Sequence, residues 1–347
     1  MPSQVSSSRM ERYLKSFVHL FTLFPVTCQE KGWLPPTRTC SQLQLSGRFD
    51  HSDRSASLPD GCCISKRYNF VYVRQAGKLG GTTVEKSYLL PTICAANFHS
   101  PPSNKTSRLF GGARVPEGCE KYLQVSGLLD CKCNERIHEI PPKISFLVVR
   151  HPFARFISIH KYVLEAGGGT NFTGMSAFLK TYAHGERGMV GRDKFGRLWT
   201  GIDLFYGHSA GSSHWAQQMI HVLPVCRYLP NTSLIPAEFN ILQNLQPVVR
   251  RINVEKTASL PALPDPRLST SRNTLLYDCP WQCYYELCGR SCFDLVSKWY
   301  DLDIMTLDAA GIYPAPHSIT ELWSVAAPSN WSAVSNRKRA CELSCRW

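Results

Sequence analysis

Long apolar runs are scarce in this chain of 347 residues. The run Phe17–Val26 is too short for a normal membrane-spanning helix and contains His19 and Pro25, and no other stretch could span a bilayer. A bundle of membrane-spanning helices is thereby excluded. Concentrated charge is also missing. The formal net charge is +13, yet the densest basic run is Arg337-Lys338-Arg339. Three residues are too few for a nucleic-acid-binding arm and read as a solvated tail. No Gly-x4-Gly-Lys-Ser/Thr loop occurs, which excludes the kinases and NTPases built on it. Paired CxxC motifs are absent too. Cys279, Cys283, Cys288 and Cys292 stand four, five and four apart, which favours disulfides over zinc. There is no internal repeat. With 43% hydrophobic and 19% charged residues the chain is no collagen, coiled coil or wholly disordered polymer. Its length allows one large α/β domain or two smaller ones.

Cysteine, by contrast, is plentiful. Fifteen is an odd number, so at least one thiol is free or pairs between chains. That many cysteines suit an oxidising compartment. Four sequons, at Asn104, Asn171, Asn231 and Asn330, point the same way. At the N-terminus Arg9, Arg12 and Lys15 precede the apolar run. Residues 1–27 therefore read as a signal sequence, a signal anchor that would tie the chain to a membrane, or an amphipathic helix of the mature fold. The excess of basic residues favours an anionic partner: nucleic acid, an acidic polysaccharide, a membrane surface or a phosphorylated cofactor.

Residues 28–66, rich in Pro, Ser, Arg and Cys, read as an irregular stem, with the core beginning near Tyr68. Phe70–Val73 alternates aromatic and β-branched residues and is predicted to be a buried strand. Gln75–Thr83 follows with three glycines, Lys78 and two threonines, and Val84–Leu90 has helical spacing up to Pro91. A strand, a glycine-rich turn and a helix start form a layout that cradles phosphate, because backbone N–H groups and the helix N-terminus face the anion. A plain tight turn is the alternative. Asn97–Gly118 reads as a loop-rich insert and Tyr122–Val125 as a short strand.

A second unit of the same kind starts at Ile144. Ile144–Val149 is nearly all apolar, as in a strand buried on both faces. Arg150 ends it, and Pro152 can open a helix carrying Phe153, Phe156, Ile157 and Tyr162 at helical spacing. Arg150 would stand at the carboxyl end of a strand, where open α/β sheets bind ligands, with Ser158 on the next helix; an arginine that merely caps the strand and a serine exposed on the helix are the alternative. Residues 166–212 are predicted to be long loops around a helix near Ser176–Ala183, Ser259–Pro266 a linker, and Cys292–Asp308 an amphipathic helix running into a loop. Pro314–Trp347 reads as an irregular, cysteine-containing tail.

These two units resemble those of the sulfotransferases, and more narrowly the Golgi carbohydrate sulfotransferases of family 2, which include the chondroitin 4-O enzymes. The family's Pro-Lys-x-Gly/Ala-x-Thr loop is matched by Gly77-Lys78-Leu79-Gly80-Gly81-Thr82-Thr83, with Ala76-Gly77 where the family has proline. Its Arg-x-Pro-Phe-x-Arg-x-x-Ser run is matched at every defining position by Arg150 to Ser158. Ser213-His214-Trp215 to Gln218 is similar to a downstream His-Trp run, and Trp299-Tyr300 to Leu307 to the closing Tyr-x-x-Asp motif. The four occur in family order and span residues 66–312. Ile235-Pro-Ala-Glu238 departs from the family's Gly-Lys strand end, which marks a distant member.

The resemblance implies a three-layer, P-loop-like α/β fold with a central parallel sheet, a sulfotransferase domain over residues 67–312 and a tail over 313–347. It implies 3′-phosphoadenosine 5′-phosphosulfate as donor, no metal, and a glycan hydroxyl as acceptor, with the positive charge suiting an acidic polysaccharide rather than nucleic acid. Lys78 would stabilise the leaving group, and Gly77, Leu79, Gly80, Gly81, Thr82 and Thr83 would hold the 5′-phosphate. Arg150 and Ser158 would take the 3′-phosphate. Arg155 is counted with them, with solvent or the acceptor as its other candidate neighbours. His214 is the candidate base, and His151, His160 and Glu238 are its rivals. A Golgi lumenal address follows, membrane-anchored or secreted. A secreted, non-catalytic glycan-binding protein of the same fold is the competing reading.

Overall fold

The computed structural model describes residues 38–43, 61–74, 79–81, 83–99, 106–108, 114–131, 144–164, 189–192, 198–200, 217–238, 241–254, 260, 280–325, 331 and 334–344. Its centre is a five-stranded sheet. The three inner strands are β3 (Phe70–Arg74), β6 (Ile144–Val149) and β9 (Ser233–Pro236), all parallel. Phe70 pairs with Ile144 and Tyr72 with Phe146, and Phe146 pairs in turn with Ser233. β6 is buried at all six positions, as its nearly continuous apolar run predicts.

The two edges differ from expectation. β1 (Arg38–Thr39) runs antiparallel to β9, and β2 (Gly61–Ser65) antiparallel to β3. The sheet is therefore mixed rather than parallel throughout. Segments expected in an irregular stem supply both edge strands, because Cys62, Ile64, Cys40 and Leu43 bury their side chains there. Two small hairpins complete the strands: β4 (Thr106–Arg108) with β5 (Arg114–Pro116), and β7 (Met189–Arg192) with β8 (Leu198–Thr200).

Helices cover both faces of the sheet. After β3 the chain winds as a wide π-turn over Thr83–Leu89 and continues as α1 (Leu90–Asn97). Pro91 thus does not end the helix. Proline has no N–H to give to the carbonyl one turn back and its ring crowds that carbonyl, and an irregular wide turn is a common place for it. Val84, Tyr88 and Ile93 of this helix pack with Leu242, Leu245 and Val248 of α5 (Ile241–Val254) over Phe70, Tyr72, Phe146 and Val148. On the opposite face Val71, Val73, Leu147 and Val149 meet Met219, Val222 and Leu223 of α4 (Gln218–Tyr228).

Tyr122–Val125 lies in a helix, α2 (Cys119–Val125), not in a strand. Cys119 and Leu123, four apart, are the residues it buries, and Cys119 is tied to Cys94 of α1. A third cluster joins Phe153 and Phe156 of α3 (Pro152–Leu164) to Tyr284 and Tyr285 of α6 (Gln282–Cys288) and to Phe293 and Val296 of α7 (Arg290–Trp299). Beyond Tyr300 the chain forms α8 (Asp301–Ala309) rather than a loop. The tail is not irregular either, since it carries α9 (Ile319–Leu322) and α10 (Arg337–Ser344). Residues 166–188 and 259–266, apart from Leu260, lie outside the described residues, as does the N-terminal segment. Among the described residues no helix is long and apolar enough to cross a membrane.

Five disulfides are described: Cys40–Cys226, Cys63–Cys131, Cys94–Cys119, Cys283–Cys341 and Cys288–Cys292. They fit an oxidising, secretory environment. Cys40–Cys226 closes a separation of 186 residues and holds the β1 edge to α4. By loop-closure entropy such a bond contributes about 5 kcal/mol. Cys283–Cys341 binds the tail to α6.

One contact locks the glycine turn onto the sheet. Gly80 has φ +94°, and a Cβ there would lie 2.7 Å from Ile241 Cδ1 and 3.7 Å from Val148 Cγ1. Gly80→Ala should lower the unfolding free energy by about 2–4 kcal/mol, combining the left-handed backbone with overpacking. Adding Ile241→Val, which removes Cδ1, should recover only the overpacking share. Denaturant unfolding of the single and double variants checks both expectations.

Candidate functional site

Parallel strands in register end on the same side of a sheet. β3, β6 and β9 therefore deliver their next residues to one edge: the glycine turn, Arg150, and Ala237-Glu238. The proximity is direct, since the Cβ position of Gly80 lies 3.9 Å from Ala237 Cβ as well as close to Val148. Leu79 is buried, Gly80, Gly81 and Thr83 are half-buried, and the Gly80 carbonyl accepts from the Val84 N–H at 3.1 Å. Gly81 leaves little room for a side chain, as its Cβ position is 3.3 Å from the Tyr72 hydroxyl. The candidates Gly77, Lys78, Thr82 and His214 lie outside the described residues, as does the side chain of His160.

Arg150 is 27% exposed at the tip of β6, and its Nε lies 3.4 Å from Glu238 Oε1. Its backbone is clamped by the side-chain amide of Gln218. The Arg150 N–H donates to Gln218 Oε1 at 3.0 Å, and Gln218 Nε2 donates to the Arg150 carbonyl at 2.5 Å. Ser158 is half-buried two turns into α3.

Arg155 points neither to solvent nor to the edge. It is completely enclosed, with Nη1 4.0 Å from Asp303 Oδ2 and the guanidinium 5.9 Å from the centre of the Tyr300 ring. Asp303 in turn accepts the first N–H groups of α4, from Gln218 at 2.9 Å and Met219 at 2.8 Å. This is an N-terminal cap supplied from a distant segment. Three of the sequence motifs, those of Arg150–Ser158, Ser213–Gln218 and Trp299–Leu307, thus meet in one buried polar network. Gln218 and Asp303, to which sequence reasoning gave no role, are its joints. Their only signal was membership in the two later motif runs.

Glu238 follows β9 at the same edge and is buried. Its Oε1 accepts the His151 N–H at 3.1 Å and its Oε2 accepts the Tyr313 hydroxyl. Asn244 fixes the turn beneath it by donating to the Pro236 carbonyl at 2.7 Å and to the Glu238 carbonyl at 3.2 Å. Burial raises the Glu238 carboxyl above its ordinary range, while Arg150, Tyr313 and the His151 N–H pull it down by less. The His151 ring stacks on Trp281 at 5.3 Å and meets Tyr313 edge-on at 5.2 Å. Burial lowers its pKa to about 3, so the imidazole is neutral in any ordinary buffer. A neutral, enclosed ring is poorly placed to exchange protons with a bound acceptor.

Cys63, Cys131 and Glu85 bring ligand atoms within 4.8 Å of one another. The two sulfurs are joined as a disulfide, which removes the thiolates a metal would need. Comparison with family models, with curated proteins and with solved structures finds no match to this chain.

Burial raises Asp303 to about 6 from an ordinary value near 3.8, with Arg155 and the two amides opposing. An acid raised on folding binds its proton more tightly in the native state, so its contribution to stability is full below about pH 4 and is lost as the pH climbs through 6. The stability of the wild type relative to Asp303→Asn should therefore fall between about pH 4 and 7. Thermal unfolding of both proteins across that interval measures it. The opposite slope would show that the Arg155 pair outweighs desolvation.

Proposed function

We propose that this protein is a carbohydrate sulfotransferase that moves a sulfuryl group from 3′-phosphoadenosine 5′-phosphosulfate to a glycan hydroxyl, with an acidic polysaccharide as the acceptor class. The observation that carries this reading is the parallel pairing of β3 with β6, which puts the glycine turn and Arg150 at one edge. The donor carries phosphate at both ends of its ribose, and the two motifs resemble the two phosphate sites of the Golgi enzymes. We read the three-layer α/β unit accordingly as P-loop-like, and the disulfides as those of a Golgi lumenal protein.

In this mechanism the acceptor oxygen attacks sulfur in line. The new S–O bond forms as the bond to the bridging phosphate oxygen breaks, and the acceptor proton passes to a base. Negative charge grows on the bridging oxygen, where a fixed cation helps most. Lys78 has that role, and the amides of Gly80 and Gly81 with the hydroxyls of Thr82 and Thr83 hold the 5′-phosphate. Arg150 and Ser158 bind the 3′-phosphate, Arg150 through its forked, permanent charge. Arg155 serves from behind by holding Asp303, which caps α4 and thereby sets the Gln218 clamp on Arg150. His214 is assigned as the base.

Radiolabelled donor offered with a panel of acidic and neutral glycans tests this. Label should move onto an acidic polysaccharide, and Lys78→Ala should lower transfer by about 100-fold or more with the circular dichroism unchanged. No transfer by a folded wild type, together with unchanged heparin retention of Lys78→Ala, would instead identify a glycan-binding protein.

A further inference from the structure

Glu238 places a carboxylate beside the arginine assigned to a phosphate, an arrangement that costs something on its own. A buried carboxylate needs charge-paired and hydrogen-bonded partners. Here they are Arg150 Nε at 3.4 Å, the His151 N–H at 3.1 Å and the Tyr313 hydroxyl. Arg150 is the one full cation among them. Among the described residues, the groups facing Glu238 come from the β6–α3 turn, Arg150 and His151, and from the segment after α8, Tyr313. The α5 contact, Asn244, is neutral and reaches only the backbone. An anion arriving at Arg150 would set a second negative charge beside the cation that Glu238 already pairs with.

We infer that Glu238 is a resident counter-anion of Arg150, and that an anionic ligand binding at Arg150 is taken up together with a proton that neutralises Glu238. This rests on the reading of Arg150 as a phosphate-binding residue. The balance is simple: the carboxylate gains one proton from solvent, no other bond changes, and the ligand's charge replaces the carboxylate's beside the guanidinium.

Two features make the site fit both states. The Tyr313 hydroxyl can donate to a carboxylate or accept from a carboxylic acid, so the hydrogen bond to Glu238 survives protonation. The His151 N–H keeps its acceptor on the other oxygen. Burial already favours the neutral form of Glu238, so the ligand need add only its own repulsion. Affinity for the anion should accordingly rise as the pH falls, by proton linkage. An uncoupled arginine site, permanently charged, would show no such dependence beyond the ligand's own titration.

Calorimetric titration of the full chain in two buffers of different ionisation enthalpy tests the coupling, with adenosine 3′,5′-bisphosphate and separately with pyrophosphate. The ligand's own protons are common to wild type and Glu238→Gln, so the difference isolates Glu238. The wild type should take up more protons, approaching one per site. Glu238→Gln should bind about tenfold or more tighter near pH 8, and the gap between the two proteins should narrow as the pH falls. Tyr313→Phe, which keeps the carboxylate but removes its hydroxyl donor, should move the uptake midpoint to higher pH, and stands in if Glu238→Gln does not fold. Equal proton uptake and equal pH slopes in all proteins overturn the inference and leave the donor reading intact. Pyrophosphate binding with the extra proton, but no binding of the adenosine bisphosphate, keeps the coupling and overturns the donor. Failure of both ligands to bind the folded wild type overturns both.

Discussion

The parallel pairing of β3, β6 and β9 is the constraint on which the rest depends. It places three chain turns, distant in sequence, at one edge of the sheet. It also buries the strands on both faces, so that helices must cover both sides. The helix after β3 and α5 take one face, and α4 takes the other. Gly80 shows how tight the fit is, since the turn after β3 comes against Val148 and Ile241 with no space for a methyl group. The turn is thus set by the packing of the strands rather than by its own sequence alone.

A polar network runs behind that edge. Arg155 meets Asp303, Asp303 caps α4, and Gln218 of α4 clamps Arg150, whose side chain meets Glu238. Each member is buried or half-buried, so each requires the next. The arrangement couples stability to the geometry of the edge. A change at Asp303 alters the frame that holds the Arg150 backbone. It also explains why Arg155, which lies in the same short run as Arg150 and Ser158, sits in the interior: α3 turns it inward toward α8, where its charge is met by Asp303.

The sequence was most informative where local pattern and burial agree. The nearly continuous apolar run Ile144–Val149 announced a central strand, Pro152 announced a helix start, and the glycines after Val73 announced a turn. It was least informative where neighbours decide. β1 has two residues and β2 five, and both are strands because a partner strand pairs with them. Tyr122–Val125 has strand-like composition, but the disulfide at Cys119 and the burial of Leu123 set it as a helix. Helices in the tail depend on Cys283–Cys341 and on the Trp323–Trp331 stack, neither of which a local pattern reveals. The polar network was unreadable for the same reason. Gln218 lies 68 residues from Arg150 and 85 from Asp303, and Tyr313 lies 75 from Glu238.

Hydrogen exchange of the full chain, with and without adenosine 3′,5′-bisphosphate, is the most direct test of a phosphate site shared by these strand ends. Slowed exchange in both Leu79–Leu89 and Arg150–Ser158, abolished together by Arg150→Ala, is the expected result. Unchanged exchange in both segments at saturating ligand, or protection confined to other parts of the chain, would contradict it.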